Sequence, residues 1–422
     1  MTGRSSLVAQ SIRATIERVI TRVNTLSAGG PGWTRPSYSD LESAAHAMIE
    51  EEALSLGLTV SRDAAGNLFA RMKGRNSNVV PLYVGSHLDT VAEGGAYDGQ
   101  AGVAGALALA AALRAEGRIP EADLVVTVTR AEESVWFPVS YVGSRAGLGR
   151  LTREEMEAKR VDTQRSLADH MRDQGYDPEA VATLVPPQPA RFLEFHIEQG
   201  PVLHIAGEPY GIVTAIRGGL RYRSARVNGV WAHSGAAPYE GRADAVVAFS
   251  ELVVAMDRVW AEMLAEGADL TVTFGRVDAA SSAHAMAKVA GTLGFCLDMR
   301  SSDASTLDEA DRRFRVEIAR IEAARPGISF DLGQQSRSQP AQLSPAMADF
   351  VARGAEARGD KPRRMLSGGG HDAAAFAAAG WDSVMVFIRN WNGSHCPDEG
   401  MHLEDLALAV ESVHESICQE GG

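Results

Sequence analysis

Three histidines and a set of carboxylates stand where a chain can aim them at one point. His87-Leu88-Asp89 closes one apolar run and Glu132-Glu133 follows another, while Asp98 sits in Gly94-Gly95-Ala96-Tyr97-Asp98-Gly99. His196 lies inside Phe192-Leu193-Glu194-Phe195-His196-Ile197-Glu198, and His395 lies in Gly393-Ser394-His395-Cys396. Imidazole nitrogen with carboxylate oxygen is a donor set that suits zinc, manganese or cobalt. A carboxylate has two oxygens, so Asp98 can bridge two cations, as two-metal hydrolysis requires. Residues two apart on a strand share a face, so His87 can bind metal while Asp89 accepts its second ring proton. A plain hydrogen-bonded pair is the alternative. Glu132 and Glu133 point in opposite directions in extended backbone, so one can ligate while the other faces an attacking water. Taken singly, Asp98 also reads as a helix cap, the two glutamates as a solvated helix start and His395 as a loop histidine. Their joint placement favours a metal site.

The elements that must position these groups are readable from apolar periodicity. Short strand-type runs occur at 79–85, 124–129, 192–197 and 383–388, with a further strand at 68–72 and helices at 10–26, 39–57 and 101–115. In open α/β sheets, ligands bind beyond the carboxyl ends of the strands, so the histidines and carboxylates are expected to converge there. Between Thr214 and Gln335 the pattern becomes strand 221–231, helix 243–265, strands 270–277 and 292–300, helix 304–324 and strand 328–332. That is the βαββαβ order of a ferredoxin-like unit. Candidate site residues flank it, which predicts a discontinuous catalytic domain over 1–213 and 336–422 with an inserted domain over 214–335. The charged, weakly periodic stretch 152–182 reads as surface helices or a long connection.

A chain of 422 residues can bury more than one core. Its formal charge of -13 argues against nucleic acid or an anionic membrane as the main partner. No apolar stretch reaches bilayer-spanning length, and the start Met1-Thr2-Gly3-Arg4-Ser5 lacks signal-peptide character. Three widely spaced cysteines, Cys296, Cys396 and Cys418, suit a reducing compartment. A cytoplasmic enzyme is therefore expected.

The strings Gly85-Ser86-His87-Leu88-Asp89-Thr90, Gly95-Ala96-Tyr97-Asp98-Gly99, Glu132-Glu133, Glu194-Phe195-His196-Ile197-Glu198-Gln199-Gly200-Pro201 and Ser394-His395-Cys396-Pro397-Asp398-Glu399 resemble the N-carbamoyl-L-amino-acid hydrolases. That group includes allantoate amidohydrolases and β-ureidopropionases, within the wider aminoacylase and carboxypeptidase-like metallohydrolases. The resemblance spans essentially the whole chain. It implies an α/β, zinc-peptidase-like catalytic domain with a central mixed sheet, and an inserted lid that makes a homodimer. It also implies two divalent cations (zinc, manganese or cobalt), with His87 and His196 on one, Glu133 and His395 on the other, and Asp98 between them.

In the same resemblance Glu132 is the general base, assisted by Asp89, and His233 reaches the partner's site to stabilise an oxyanion. Arg300 resembles an arginine that clamps the substrate carboxylate through two parallel hydrogen bonds. Gln199 resembles a polar substrate contact. Ser367-Gly368-Gly369-Gly370-His371-Asp372 resembles a glycine-rich loop beside the substrate, which places Gly369, Gly370 and His371 there. This loop lacks the lysine of a nucleotide P-loop, and His371-Asp372 reads equally well as a structural pair.

Several positions depart from the family pattern. Ser134 and Trp136 follow the two glutamates, and Ala232 and Ala287 stand where asparagines are expected. Each lost polar contact to a buried carboxylate costs about 1–3 kcal/mol, which Arg217 or His284 could offset. The implied reaction is hydrolysis of the ureido C–N bond of an N-carbamoyl-L-amino acid, or a related ureido acid, to amino acid, ammonia and carbon dioxide. An aminoacylase or dipeptidase-like amide hydrolase is the near alternative. A non-catalytic small-acid-binding protein is a third, against which the presence of Glu132 argues.

Overall fold

Runs such as Leu124-Val125-Val126-Thr127-Val128-Thr129 carry apolar or β-branched residues at every position, as a strand covered on both faces requires. In the computed structural model, which describes residues 2–420, all six residues of that strand are buried. It pairs in parallel with Leu82–His87, which pairs in parallel with Arg191–Ile197, and Asp382–Ile388 pairs in parallel with the latter. Leu68–Met72 adds antiparallel on one side and Tyr210–Ile216 antiparallel on the other, so the central sheet is mixed. The four parallel strands deliver their carboxyl ends to one edge: His87 lies opposite Thr129, and His196 opposite Phe387.

Helix Gln100–Glu116 shows how tightly this layer is built. Every residue from Gln100 to Leu113 is buried, because the helix contacts strands of the sheet as well as helices Thr2–Val23 and Leu403–Glu420. Its many alanines and glycines permit that approach. A Cβ on Gly102 would stand 2.1 Å from the Phe195 carbonyl oxygen, so only glycine fits there. The fully buried Leu107 and Leu109 lie in the same core, where truncation of a leucine to alanine costs about 2–5 kcal/mol.

The chain divides into Met1–Thr214 with Gln342–Gly422, and Ala215–Ala341. The second unit has its own core and an antiparallel sheet in the order Ser329–Asp331, Gly218–Asn228, Thr292–Ser301, Thr271–Asp278. Helices Ala245–Ala265 and Ala304–Ala324 pack on that sheet. This unit extends past 335, because Gln335–Ser338 pairs with Gly218–Asn228.

Two other expectations are refined. Residues 152–182 contain three short helices, Arg153–Met156, Leu167–Asp173 and Pro178–Ala182, the first two with capping boxes. The first helix is Thr2–Val23 rather than 10–26, although the side chains of Met1 to Ser5 lie outside the described residues. No described helix is long and apolar enough to cross a membrane.

Candidate metal centre

His87 ends its strand and His196 is the penultimate residue of its own; each is 1% exposed. His87 Nδ1 lies 3.0 Å from the Asp89 carbonyl oxygen and His196 Nδ1 lies 2.9 Å from that of Ile197. A carbonyl only accepts, so each ring donates from Nδ1 and turns Nε2 toward Asp98. These Nε2 atoms stand 3.6 Å and 3.2 Å from Asp98 Oδ1. The other carboxylate oxygen, Oδ2, stands 3.5 Å from His395 Nε2, which is itself 3.4 Å from Glu133 Oε1.

Asp98 reaches this position because the chain reverses at Gly99, whose φ is +65° and whose Cβ, if present, would lie 2.5 Å from the His87 ring. The donor atoms of His87, Asp98 and His196 lie within 4.8 Å of one another, and so do those of Asp98, Glu133 and His395. His196 Nε2 is buried without a hydrogen-bond partner, an orphan that needs an occupant for its lone pair. The two groups have Asp98 in common, and their donor set fits divalent-cation binding.

Electrostatics point the same way. Burial lowers the basicity of His87, but Asp89, Glu132 and Asp98 outweigh it and raise the pKa well above that of ordinary histidine. Burial opposes ionisation of Asp98, yet His196, His87 and His395 hold it below the usual carboxylate range. Protons on such a cluster stand where cations can replace them.

The two glutamates are set by Asp89. The backbone N–H of Glu132 donates to Asp89 Oδ1 at 3.0 Å, that of Glu133 donates to Oδ2 at 3.2 Å, and Ser37 Oγ donates to Oδ2 at 2.6 Å. Just before them Ala131 has a φ of +50°, a strained turn for a residue with a Cβ. Glu42 supports that turn by accepting from the N–H groups of Ala131 and Tyr38, and it pairs with buried Arg130 at 3.1 Å. Burial, together with the charges of Glu133, Asp372 and Asp89, raises Glu132 well above the usual carboxylate range against the pull of His87.

Gln199 Nε2 donates to Asp98 Oδ2 at 2.8 Å, and Gly369 lies against Gln199, Gly370 against Tyr141. His371 and Asp372 do not form a mutual pair. The His371 ring lies 4.3 Å from that of His196, with Nε2 unpartnered, whereas Asp372 accepts from Thr129 and Ser144 hydroxyls. Trp136 is buried and donates from Nε1 to the Thr90 carbonyl at 2.7 Å, with Arg160 over its ring; Ser134 is exposed.

Sequence reasoning assigned no role to Glu399, yet its Oε1 accepts from Tyr97 N at 2.8 Å and Asp98 N at 3.1 Å. Burial, then the charge of Asp98, pushes its carboxyl up to about 8. The signal available was an acidic residue four positions beyond a candidate ligand.

The second unit holds the remaining candidates. His233 is exposed in the two-residue strand Ala232–His233, opposite Lys288, and its Nδ1 accepts from the Gly235 N–H. Ala287 directly precedes the facing strand Lys288–Val289. Arg300 Nε donates to Asp298 at 2.9 Å. Arg217 is engaged with Asp269 through two nitrogens, and His284 contacts Ser281 Oγ at 2.8 Å and the Thr292 carbonyl at 2.9 Å. Both of these proposed replacements for the absent asparagines therefore have partners inside this unit.

A family model described as peptidase family M20/M25/M40 matches residues 83–419. The chain belongs to this family. It is 32% identical to an N-carbamoyl-L-amino-acid amidohydrolase of Paenarthrobacter aurescens, over 94% of this chain and 95% of the relative. It is 30% identical to the allantoate amidohydrolase of Escherichia coli strain K12, over 95% and 96% of the two chains. A solved amidase of the hydantoinase/carbamoylase family from Burkholderia multivorans superposes with a TM-score of 0.87 at 28% identity, covering 96% of this chain and 97% of that one. Membership accounts for the α/β fold with a central mixed sheet and for metal dependence.

Proposed function

We propose that the protein is a dinuclear-metal amidohydrolase that cleaves the ureido C–N bond of an N-carbamoyl-L-amino acid or a closely related ureido acid. The observation that carries the metal-site part of this reading is Asp98, which presents one oxygen to His87 and His196 and the other to His395 beside Glu133. The relatives' names carry the substrate class. Zinc, manganese or cobalt, held by those five residues, supplies polarisation of the substrate carbonyl and neutralises charge as it develops.

The chain's own groups do the rest. Glu132, buried and raised in pKa, accepts a proton from the attacking water and passes it to the leaving nitrogen. Asp89 keeps Glu132 and Glu133 in position through their backbone N–H groups. One C–O bond forms at the ureido carbon as its bond to the amino acid nitrogen breaks, and the carbamate released decays to ammonia and carbon dioxide. Gln199, Gly369, Gly370 and His371 line the substrate's place beside the metals, and Arg300 binds its carboxylate. The inserted unit forms a homodimer and brings His233 to the partner's site; four apolar residues left exposed on helix Ala245–Ala265, Val246, Val247, Val254 and Leu264, support that reading.

The test is release of ammonia with equimolar amino acid from a panel of carbamoyl and ureido acids, using protein loaded with manganese, cobalt or zinc. Release of a carboxylic acid or a second amino acid from N-acyl or dipeptide substrates, with no ammonia from the panel, would replace this reading with that of an aminoacylase or dipeptidase.

A further inference from the structure

Helix Gln100–Glu116 starts beside Asp98 and runs away from the metal centre, so its last residue lies about 24 Å along the axis, at 1.5 Å per residue. There Glu116 meets His414 and Cys418, which are four residues apart and so share one face of helix Leu403–Glu420. His414 Nε2 is 3.3 Å from Glu116 Oε2, and Cys418 Sγ is 3.8 Å from both. Tetrahedral zinc with bonds of about 2.3 Å to sulfur and 2.0–2.1 Å to nitrogen and oxygen holds such donors about 3.3–3.6 Å apart. The trio is already within a few tenths of an ångström of that arrangement.

We propose that Glu116, His414 and Cys418 form a further cation site, separate from the catalytic centre, for zinc or another thiophilic divalent ion. A thiolate, an imidazole and one carboxylate select zinc or cobalt over magnesium or manganese. Three protein donors leave a fourth position for water. Burial lowers the His414 pKa, which keeps its imidazole neutral and able to ligate. Thiolate ligation displaces the Cys418 proton as the cation binds. Arg118 is a competing positive charge: its Nε donates to Glu116 Oε2 at 3.1 Å and its Nη1 to the Cys418 carbonyl at 3.5 Å, and with its side chain 37% exposed it can turn into solvent as the cation enters. The bound ion ties the end of the buried helix to the C-terminal helix.

The test adds cobalt(II) to full-length protein whose catalytic site has first been filled with manganese. The expected result is a near-ultraviolet thiolate-to-cobalt charge-transfer band, which the thiol-free donor set of the catalytic centre cannot give even where cobalt exchanges into it. Cys418→Ser and His414→Ala should abolish it, whereas Cys396→Ser, the thiol beside His395, should retain it. Absence of the band in the unaltered protein, or a band that survives Cys418→Ser, overturns the proposal. A measurement that needs no variant is alkylation of Cys418 followed by peptide mass spectrometry. Saturating zinc should slow it at least tenfold, and an unchanged rate also overturns the proposal.

Discussion

The metal-binding unit and the inserted unit hold their candidate residues in opposite ways. In the first, His87, Asp98, Glu132, Glu133 and His196 are buried, with His395 the one exposed member of the proposed ligand set, and Asp89, Glu399 and Glu42 fix the backbone around the buried groups. In the second, His233 is exposed on a two-residue strand and Arg300 is partly exposed beside Asp298. Buried charges must be cross-braced, because an unpaired one costs several kcal/mol, whereas exposed groups carry no such requirement. The hydrolytic machinery is therefore constrained by folding itself. His233 and Arg300 can change without loss of the fold, and Ala232 and Ala287 stand in the same unit.

The sharpest way to break this contrast is Glu132→Gln. Turnover should fall by about 10²–10⁴-fold with metal content by elemental analysis unchanged; preserved turnover would remove Glu132 as the base. Asp89→Asn should cost about 10- to 100-fold in metal affinity or activity, since it weakens the acceptor for both glutamate N–H groups. If Asp89 only fills space, chelator titration will show no change. On the other unit, Arg300→Ala should raise KM by about tenfold or more, the effect of losing a charge-assisted contact of about 1.5–3 kcal/mol, with the thermal midpoint nearly unmoved. A large drop in stability instead would make Arg300 a structural residue.

The smallest expected effect concerns His46, buried without a hydrogen-bond partner for either ring nitrogen. Burial, then the charges of Arg130 and Arg62, holds its pKa far below the ordinary value, with the Thr129 backbone acting weakly in the other direction. The unfolded chain therefore takes up this proton first as pH falls. Stability present above about pH 6.5 is lost below it, at up to about 1.4 kcal/mol per pH unit. Denaturant unfolding of His46→Leu between pH 5 and 7 should show a shallower acid limb, and an identical slope would count against this assignment.

Much of the catalytic unit could be read from residue order, because strands buried on both faces announce themselves as apolar runs and the ligands stand at their ends. Leu68–Met72 and Leu124–Thr129 fall where the pattern put them. Gln335–Ser338 was invisible for the converse reason: Gln-Ser-Arg-Ser is half-exposed at a sheet edge, so its pairing is written in backbone hydrogen bonds and leaves no apolar mark. Glu42, Arg130 and Glu399 were missed likewise, since a buried charge looks like a surface one until its partner, 88 positions away for Arg130 and Glu42, is brought alongside. The His371–Asp372 pairing failed because adjacent side chains at a helix start point to different neighbours.

The bond from Asp98 N to Glu399 spans 301 positions of the chain. On the ribosome, the loop that carries Asp98 emerges long before its brace, and His395 emerges at nearly the same late moment as Glu399. The parallel strand Asp382–Ile388 is also a late arrival. With His395 as a ligand, as proposed, the donor set is complete only once nearly the whole chain has been made. A chain truncated shortly before His395 would retain His87, Asp98, Glu133 and His196 yet lack both His395 and the acceptor that orients Asp98.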